Sequence, residues 1–268
     1  MNDAPIGVFD SGVGGLSVLR EIRKALPNEA LLYVADSGAA PYGDRPREYI
    51  AARARAVTGF FLGQQVKAVV VACNTATAVA AQMLRSCFDI PIVAMEPAVK
   101  PAAERTRSGV IGVMATSQTL ASEGYSRLTR KQGAGVEIIS QPCNDLVALV
   151  ENAELTGPRV EAMISRYIMP LLERGADTLV LGCTHYAFLA EAIKAVAGPN
   201  VIVLDPAAAV AKELRRRLEA GHLLASRTSA GGERFWTSGS PAQVQSVIGK
   251  LWGEDVDVRA APVLGLVA

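Results

Sequence analysis

The 268-residue chain is poor in aromatics, which make up 5% of it, and it holds two histidines and four cysteines. Ala, Val, Leu and Gly dominate instead, a balance that fits α/β layers better than an all-β sandwich. Lys and Arg number 27 against 26 Asp and Glu, a net charge of +1. So even a balance offers no electrostatic footprint for nucleic acid or an anionic membrane. The basic run Arg215, Arg216 and Arg217 sits in a helical pattern and reads as a solvated helix face. No apolar run reaches the roughly 20 residues needed to span a bilayer. The first twelve residues lack the basic and apolar regions of a signal peptide. Cys73, Cys87, Cys143 and Cys183 form no CxxC and follow no metal-ligand rhythm. They are expected to be reduced thiols in a cytoplasmic protein.

Residues 69–77, VVVACNTAT, organise what is there. A Val run reads as a strand buried on both faces. It stops at Cys73, and after Asn74 and Thr75 a small-residue helix begins. In an open parallel sheet, ligands bind at the carboxyl ends of strands, so Cys73 stands where a reactive side chain would stand. Residues 178–190, TLVLGCTHYAFLA, repeat the grammar with Cys183, Thr184 and His185. Other pieces recur in the same order. Ile6-Gly7-Val8 returns as Ile111-Gly112-Val113, which lays Asp10 and Ser11 over Ala115 and Thr116. The strand 31–35 falls on 136–140. Residues 91–95 with Glu96-Pro97 fall on 201–204 with Asp205-Pro206. Four matches in register predict an internal duplication, with blocks 1–97 and 98–208. The remainder, 209–268, is expected as helix, strand (234–238), helix and strand (256–260), packed back onto the first block. The fold expected is therefore two pseudo-symmetric α/β domains with mainly parallel sheets and a cleft between them.

Asp10-Ser11-Gly12-Val13-Gly14-Gly15 joins the first strand to a helix. Such a turn can present backbone N–H groups to an anion. It is too compact for the dinucleotide fingerprint GxGxxG, and it lacks the Walker lysine. The loop 37–44 with Pro41-Tyr42-Gly43 reads as irregular and surface-facing.

Two thiols at equivalent strand ends would stand on opposite walls of one cleft. A disulfide needs Cα atoms within about 7 Å, a metal site wants more ligands, and a Cys–His hydrolase would leave one thiol idle. Inverting a stereocentre uses both: one thiolate removes a proton from one face of a carbon, and the other thiol donates to the opposite face. A free thiol near 8.5 needs only a small downward shift for this work. Asp10 and His185 are the natural tuners. Ser11, Asn74, Thr75, Thr116 and Thr184 can hold a small polar substrate. Cys87 and Cys143 read as packing residues, and His222 as solvated.

Phe9–Gly15 (FDSGVGG), Pro41-Tyr42-Gly43, residues 72–76 (ACNTA) and residues 182–186 (GCTHY) together resemble the glutamate racemases of the cofactor-independent aspartate/glutamate racemase superfamily, over nearly the whole chain. The resemblance implies interconversion of L- and D-glutamate without pyridoxal phosphate, metal or other cofactor, supplying D-glutamate for peptidoglycan. It implies that Cys73 takes the α-proton of D-glutamate and Cys183 that of L-glutamate, with Asp10, His185 and Glu151 assisting. It implies substrate binding by Asp10, Ser11, Tyr42, Gly43, Asn74, Thr75, Thr116, Thr184 and His185, in a homodimer. Ala115, Ala187 and Ser240 depart from the usual pattern at positions flanking the site. Three alternatives stay open: a racemase for aspartate or a related acid, a non-catalytic amino-acid binder, and a thiol redox protein.

Overall fold

The structure, a computed structural model, describes residues 2–132 and 135–261. Ten strands occur among the described residues: β1 (Ile6–Asp10), β2 (Leu31–Ala35), β3 (Ala68–Val71), β4 (Ile92–Ala94), β5 (Val110–Ala115), β6 (Glu137–Pro142), β7 (Thr178–Leu181), β8 (Ile202–Leu204), β9 (Glu233–Thr237) and β10 (Val258–Ala260). They form a six-stranded sheet in the order β10-β9-β2-β1-β3-β4 and a four-stranded sheet in the order β6-β5-β7-β8. Every pairing is parallel. The segments IGVFD, LLYVA and AVVV are buried along their whole length, as strands covered by helices on both faces must be.

The order β2-β1-β3-β4 recurs as β6-β5-β7-β8, so the two sheets share one plan. The register corrects the repeat in detail. Ile6 pairs with Leu31, while Ile111 pairs with Ile138. The counterpart of Leu31 is thus Ile138, two residues beyond the expected Val136. Val69 pairs with Ile92 and Leu179 with Val203, again two residues beyond the expected match. A shift of two keeps every side chain on its own face of the sheet, so the apolar pattern is the same in either register.

β9 and β10 extend the six-stranded sheet at β2, and the last strand is shorter than expected, Val258–Ala260. One apolar core runs between the sheets. Leu16 and Leu19 of the helix Leu16–Ala25 join Leu149, Leu181, Tyr186 and Leu189 in it, all buried. That helix packs on the 3₁₀ segment Thr184–Leu189, which fixes the strand ends of one sheet against those of the other. Cys87 is exposed rather than packed, because it closes the helix Asn74–Cys87 on its solvent side, whereas Cys143 is buried. Arg215, Arg216 and Arg217 pair with Glu219 and Glu213 on an exposed face, and His222 is exposed.

Candidate active site

The carboxyl ends of β1, β3, β5 and β7 converge. A cleft of about 390 Å³, counted with its mouth, is lined there by Cys73 and Cys183 together with Ser11, Tyr42, Gly43, Asn74, Thr75, Thr116, Thr184 and His185. Cys73 follows β3 and caps the helix Asn74–Cys87, its Sγ accepting from the Ala76 amide at 3.4 Å. Cys183 follows β7, but a 3₁₀ segment and not an α-helix comes next. The two thiols are therefore alike in strand position and unlike in the helical turn that each one opens. Asp10 and Glu151 stand behind the wall and act on it through other groups.

Asp10 is fully buried. Its Oδ2 accepts from the Gly15 amide at 2.7 Å and from Thr184 Oγ1 at 3.3 Å, and its Oδ1 accepts from Ser11 Oγ at 3.4 Å. The Cys73 thiol lies 3.8 Å from Ser11 Oγ. On the other side His185 Nδ1 lies 3.7 Å from Cys183 Sγ, and His185 Nε2 meets Glu151 Oε1 at 2.6 Å. The same Glu151 oxygen accepts from the Val13 amide at 2.9 Å. The glycine-rich turn is thus an anion cradle occupied from within: its N–H groups hold the carboxylates of Asp10 and Glu151. Two of its glycines are required by close approach. A Cβ on Gly12 would fall 1.9 Å from Glu151 Oε1, and one on Gly14 would fall 2.3 Å from His185 Nδ1.

These contacts set the ionisation states. Burial pushes the Cys73 thiol well above its ordinary value, and the neighbouring Asp10 charge pushes it further. A small downward shift would suit a free thiol to proton transfer, and burial moves Cys73 the opposite way, favouring its protonated form. Burial also raises Asp10, though the His185 cation and the Cys73 thiol hold it partly down. Burial works against the His185 charge, but the bonds to Cys183 and Glu151 outweigh it and raise His185 well above its usual value. Burial likewise works against ionised Glu151, and the His185 partner prevails, lowering it. His185 and Glu151 are an ion pair.

Asn74 is 3% exposed, yet neither its Oδ1 nor its Nδ2 has a hydrogen-bond partner. A buried amide at the wall of a cleft with both ends free is built to be met by a ligand. Thr75 and Thr116 come from different sheets and share a hydrogen bond at 2.9 Å, backed by Thr119. Tyr42 corrects the picture of a surface loop. It is 1% exposed and its hydroxyl donates to Asp36 inside the protein, while the residue also lines the cleft. The wall also includes Pro41, Asp44, Asn144 and Val147, which carry no motif. Asn144 Nδ2 donates to Asp44 Oδ1 at 2.8 Å across the mouth.

The cleft between the two parallel sheets thus carries a thiol on each wall, one beside a carboxyl group and one beside an imidazole. The chain belongs to the Asp/Glu/Hydantoin racemase family, whose model matches residues 6–214. It is 53% identical over 262 residues to a glutamate racemase of Methylococcus capsulatus, covering 97% of this chain and 96% of that one. Among solved structures, a glutamate racemase isoform from Bacillus anthracis superposes with a TM-score of 0.88 at 32% identity, covering 97% of this chain and 98% of that one. The Francisella tularensis glutamate racemase in complex with D-glutamate superposes with a TM-score of 0.86 at 29% identity, covering 99% of both chains.

Proposed function

We propose that the protein interconverts L- and D-glutamate by proton transfer between Cα and two opposed thiols. The observation that supports this most is that Cys73 and Cys183, from different sheets, line one cleft. The names of the relatives choose the substrate.

In the L-to-D direction, the Cys183 thiolate, facing the His185 cation, takes the Cα proton. The Cys73 thiol gives its own proton to the opposite face. One C–H bond breaks, another forms, and the two sulfurs exchange protonation states. In the reverse direction Cys73 must first lose its proton, which Asp10 receives, and the Cys183 thiolate must gain one, which the adjacent His185 cation gives. Cys73 then takes the Cα proton and Cys183 donates to the opposite face. The raised pKa of Asp10 brings its carboxyl nearer to that of a thiol, which eases the transfer. Glu151 acts through His185, keeping the imidazolium charged. The amide of Asn74, the hydroxyls of Ser11, Thr75, Thr116 and Thr184, and the backbone at Tyr42 and Gly43 would hold the substrate carboxylates and amine. Among the described residues no Lys or Arg lines the cleft. Preorganised dipoles therefore supply the stabilisation of the carbanion-like transition state, the helix N-terminus at Cys73 among them.

The same reading takes 1–97 with 209–268 as one domain and 98–208 as the other, and it makes the protein a homodimer in the cytoplasm that supplies D-glutamate for peptidoglycan. Among the described residues no helix is long and apolar enough to cross a membrane. Chiral chromatography after incubation with L-glutamate or L-aspartate tests the substrate. D-glutamate from the first and no D-aspartate from the second is expected. Turnover of aspartate alone would move the assignment to that acid. Sedimentation in the presence of glutamate tests the dimer.

A further inference from the structure

Asp36 follows β2 and is fully buried. It does not line the cleft. A carboxylate so placed needs a full set of donors. Its Oδ2 accepts from the Tyr42 hydroxyl and from Arg53 Nε at 2.9 Å. Its Oδ1 accepts from Arg53 Nη2 and from Ser238 Oγ. Arg53 is 3% exposed and sits on the helix Arg47–Gly63, so one guanidinium balances one carboxylate inside the protein. Ser238, just after β9, also accepts from the Gly38 amide at 3.0 Å.

The loop between β2 and that helix is thereby tied at two points to a single carboxylate. Gly38 is held through Ser238, and Tyr42 is held directly. The loop presents Pro41, Tyr42, Gly43 and Asp44 to the cleft, with Tyr42 and Gly43 at its centre. The fit there is close: a Cβ on Gly43 would stand 3.1 Å from the Thr116 Cβ on the facing sheet. Backbone N–H groups on a segment with so little room can hold a substrate in register with the facing wall only if the loop stands still. Across the mouth the loop is met only near its far end, by Asn144 at Asp44 and by Gln118 at the Arg45 carbonyl, whereas four hydrogen bonds meet at Asp36 behind Tyr42.

We propose that Asp36 is a positioning residue for substrate binding. With Arg53 and Ser238 it sets where Tyr42 and Gly43 stand on the cleft wall, and so sets affinity for both enantiomers without touching them. The proposal rests on the glutamate reading of the cleft.

The test compares Asp36→Asn, Tyr42→Phe and Ser238→Ala with the wild type, each checked for folding by circular dichroism. Each variant weakens or removes donation to the carboxylate. The expected result is a KM for L- and D-glutamate raised about tenfold, the scale of one lost hydrogen bond to a charged group, with kcat within about threefold. Ser238→Thr, which keeps the hydroxyl, is expected to return KM to near the wild-type value. Where Asp36→Asn does not fold, the other two variants carry the test. A readout independent of activity is amide exchange in residues 37–45, expected to quicken about tenfold in Tyr42→Phe, even if glutamate should prove not to be the substrate. Folded variants with a lowered melting temperature but unchanged KM and unchanged exchange in 37–45 would show a purely structural role and overturn the proposal.

Discussion

His185 Nε2 and Glu151 Oε1 meet at 2.6 Å, and the same oxygen accepts the Val13 amide of the glycine-rich turn at 2.9 Å. One carboxylate oxygen therefore couples a histidine beside one thiol to the turn that also holds the carboxyl group beside the other. The partners come from three separate stretches of chain, and the site is assembled around them.

This pair makes stability depend on pH. His185 is raised above 6.5, so its contribution is complete below that value and is lost as pH climbs through its folded pKa. Glu151 is lowered below 4.5, so its contribution is complete above 4.5 and is lost as pH falls through its folded pKa. Both are complete between 4.5 and 6.5. Glu151→Gln is expected to cost roughly 2 kcal/mol at a pH inside that window and clearly less at alkaline pH. Urea denaturation of both proteins across the range measures this. An equal cost at every pH would mean that the pair is not ionic.

Gly12 and Gly14 owe their place to contact with Glu151 and His185. Gly14→Ala is expected to lower kcat/KM at least tenfold by displacing the imidazole, a loss of about 1.4 kcal/mol or more in transition-state stabilisation. Gly59→Ala is the control. It lies exposed in the helix Arg47–Gly63 with open space around its Cα, and it should stabilise the fold by about 0.5–1 kcal/mol and leave kinetics unchanged. Steady-state kinetics with thermal melts separates the two.

Asn74 separates binding from stability. Its amide has no partner in the protein, so Asn74→Ala should not lower the melting temperature. It should raise KM about tenfold or more, as the loss of contacts to a charged ligand group. A destabilised variant with normal KM would assign the side chain to the fold instead.

Much of this was legible in the sequence, for identifiable reasons. The strand cores are apolar along their length, and the two cysteines end strands of the same grammar. The register of β6 and β8 was not legible, because a two-residue slip leaves the inward pattern intact. Asp44 and Asn144 lie 100 residues apart and neither belongs to a motif, so only folding brings them together at the mouth. The inward turn of Tyr42 depends on Asp36, a residue with no motif of its own. The thiol pKa at Cys73 depends on burial, and residue type alone does not determine the depth to which a strand end is buried.

Proton exchange on opposite faces of Cα by separate thiols is tested most directly by incubating the protein with L-glutamate in D2O and following deuterium at Cα in both enantiomers at early times. The account predicts D-glutamate carrying one solvent deuterium while the remaining L-glutamate is still protonated. Deuterium entering L-glutamate as fast as D-glutamate forms, or D-glutamate retaining its original proton, would contradict it.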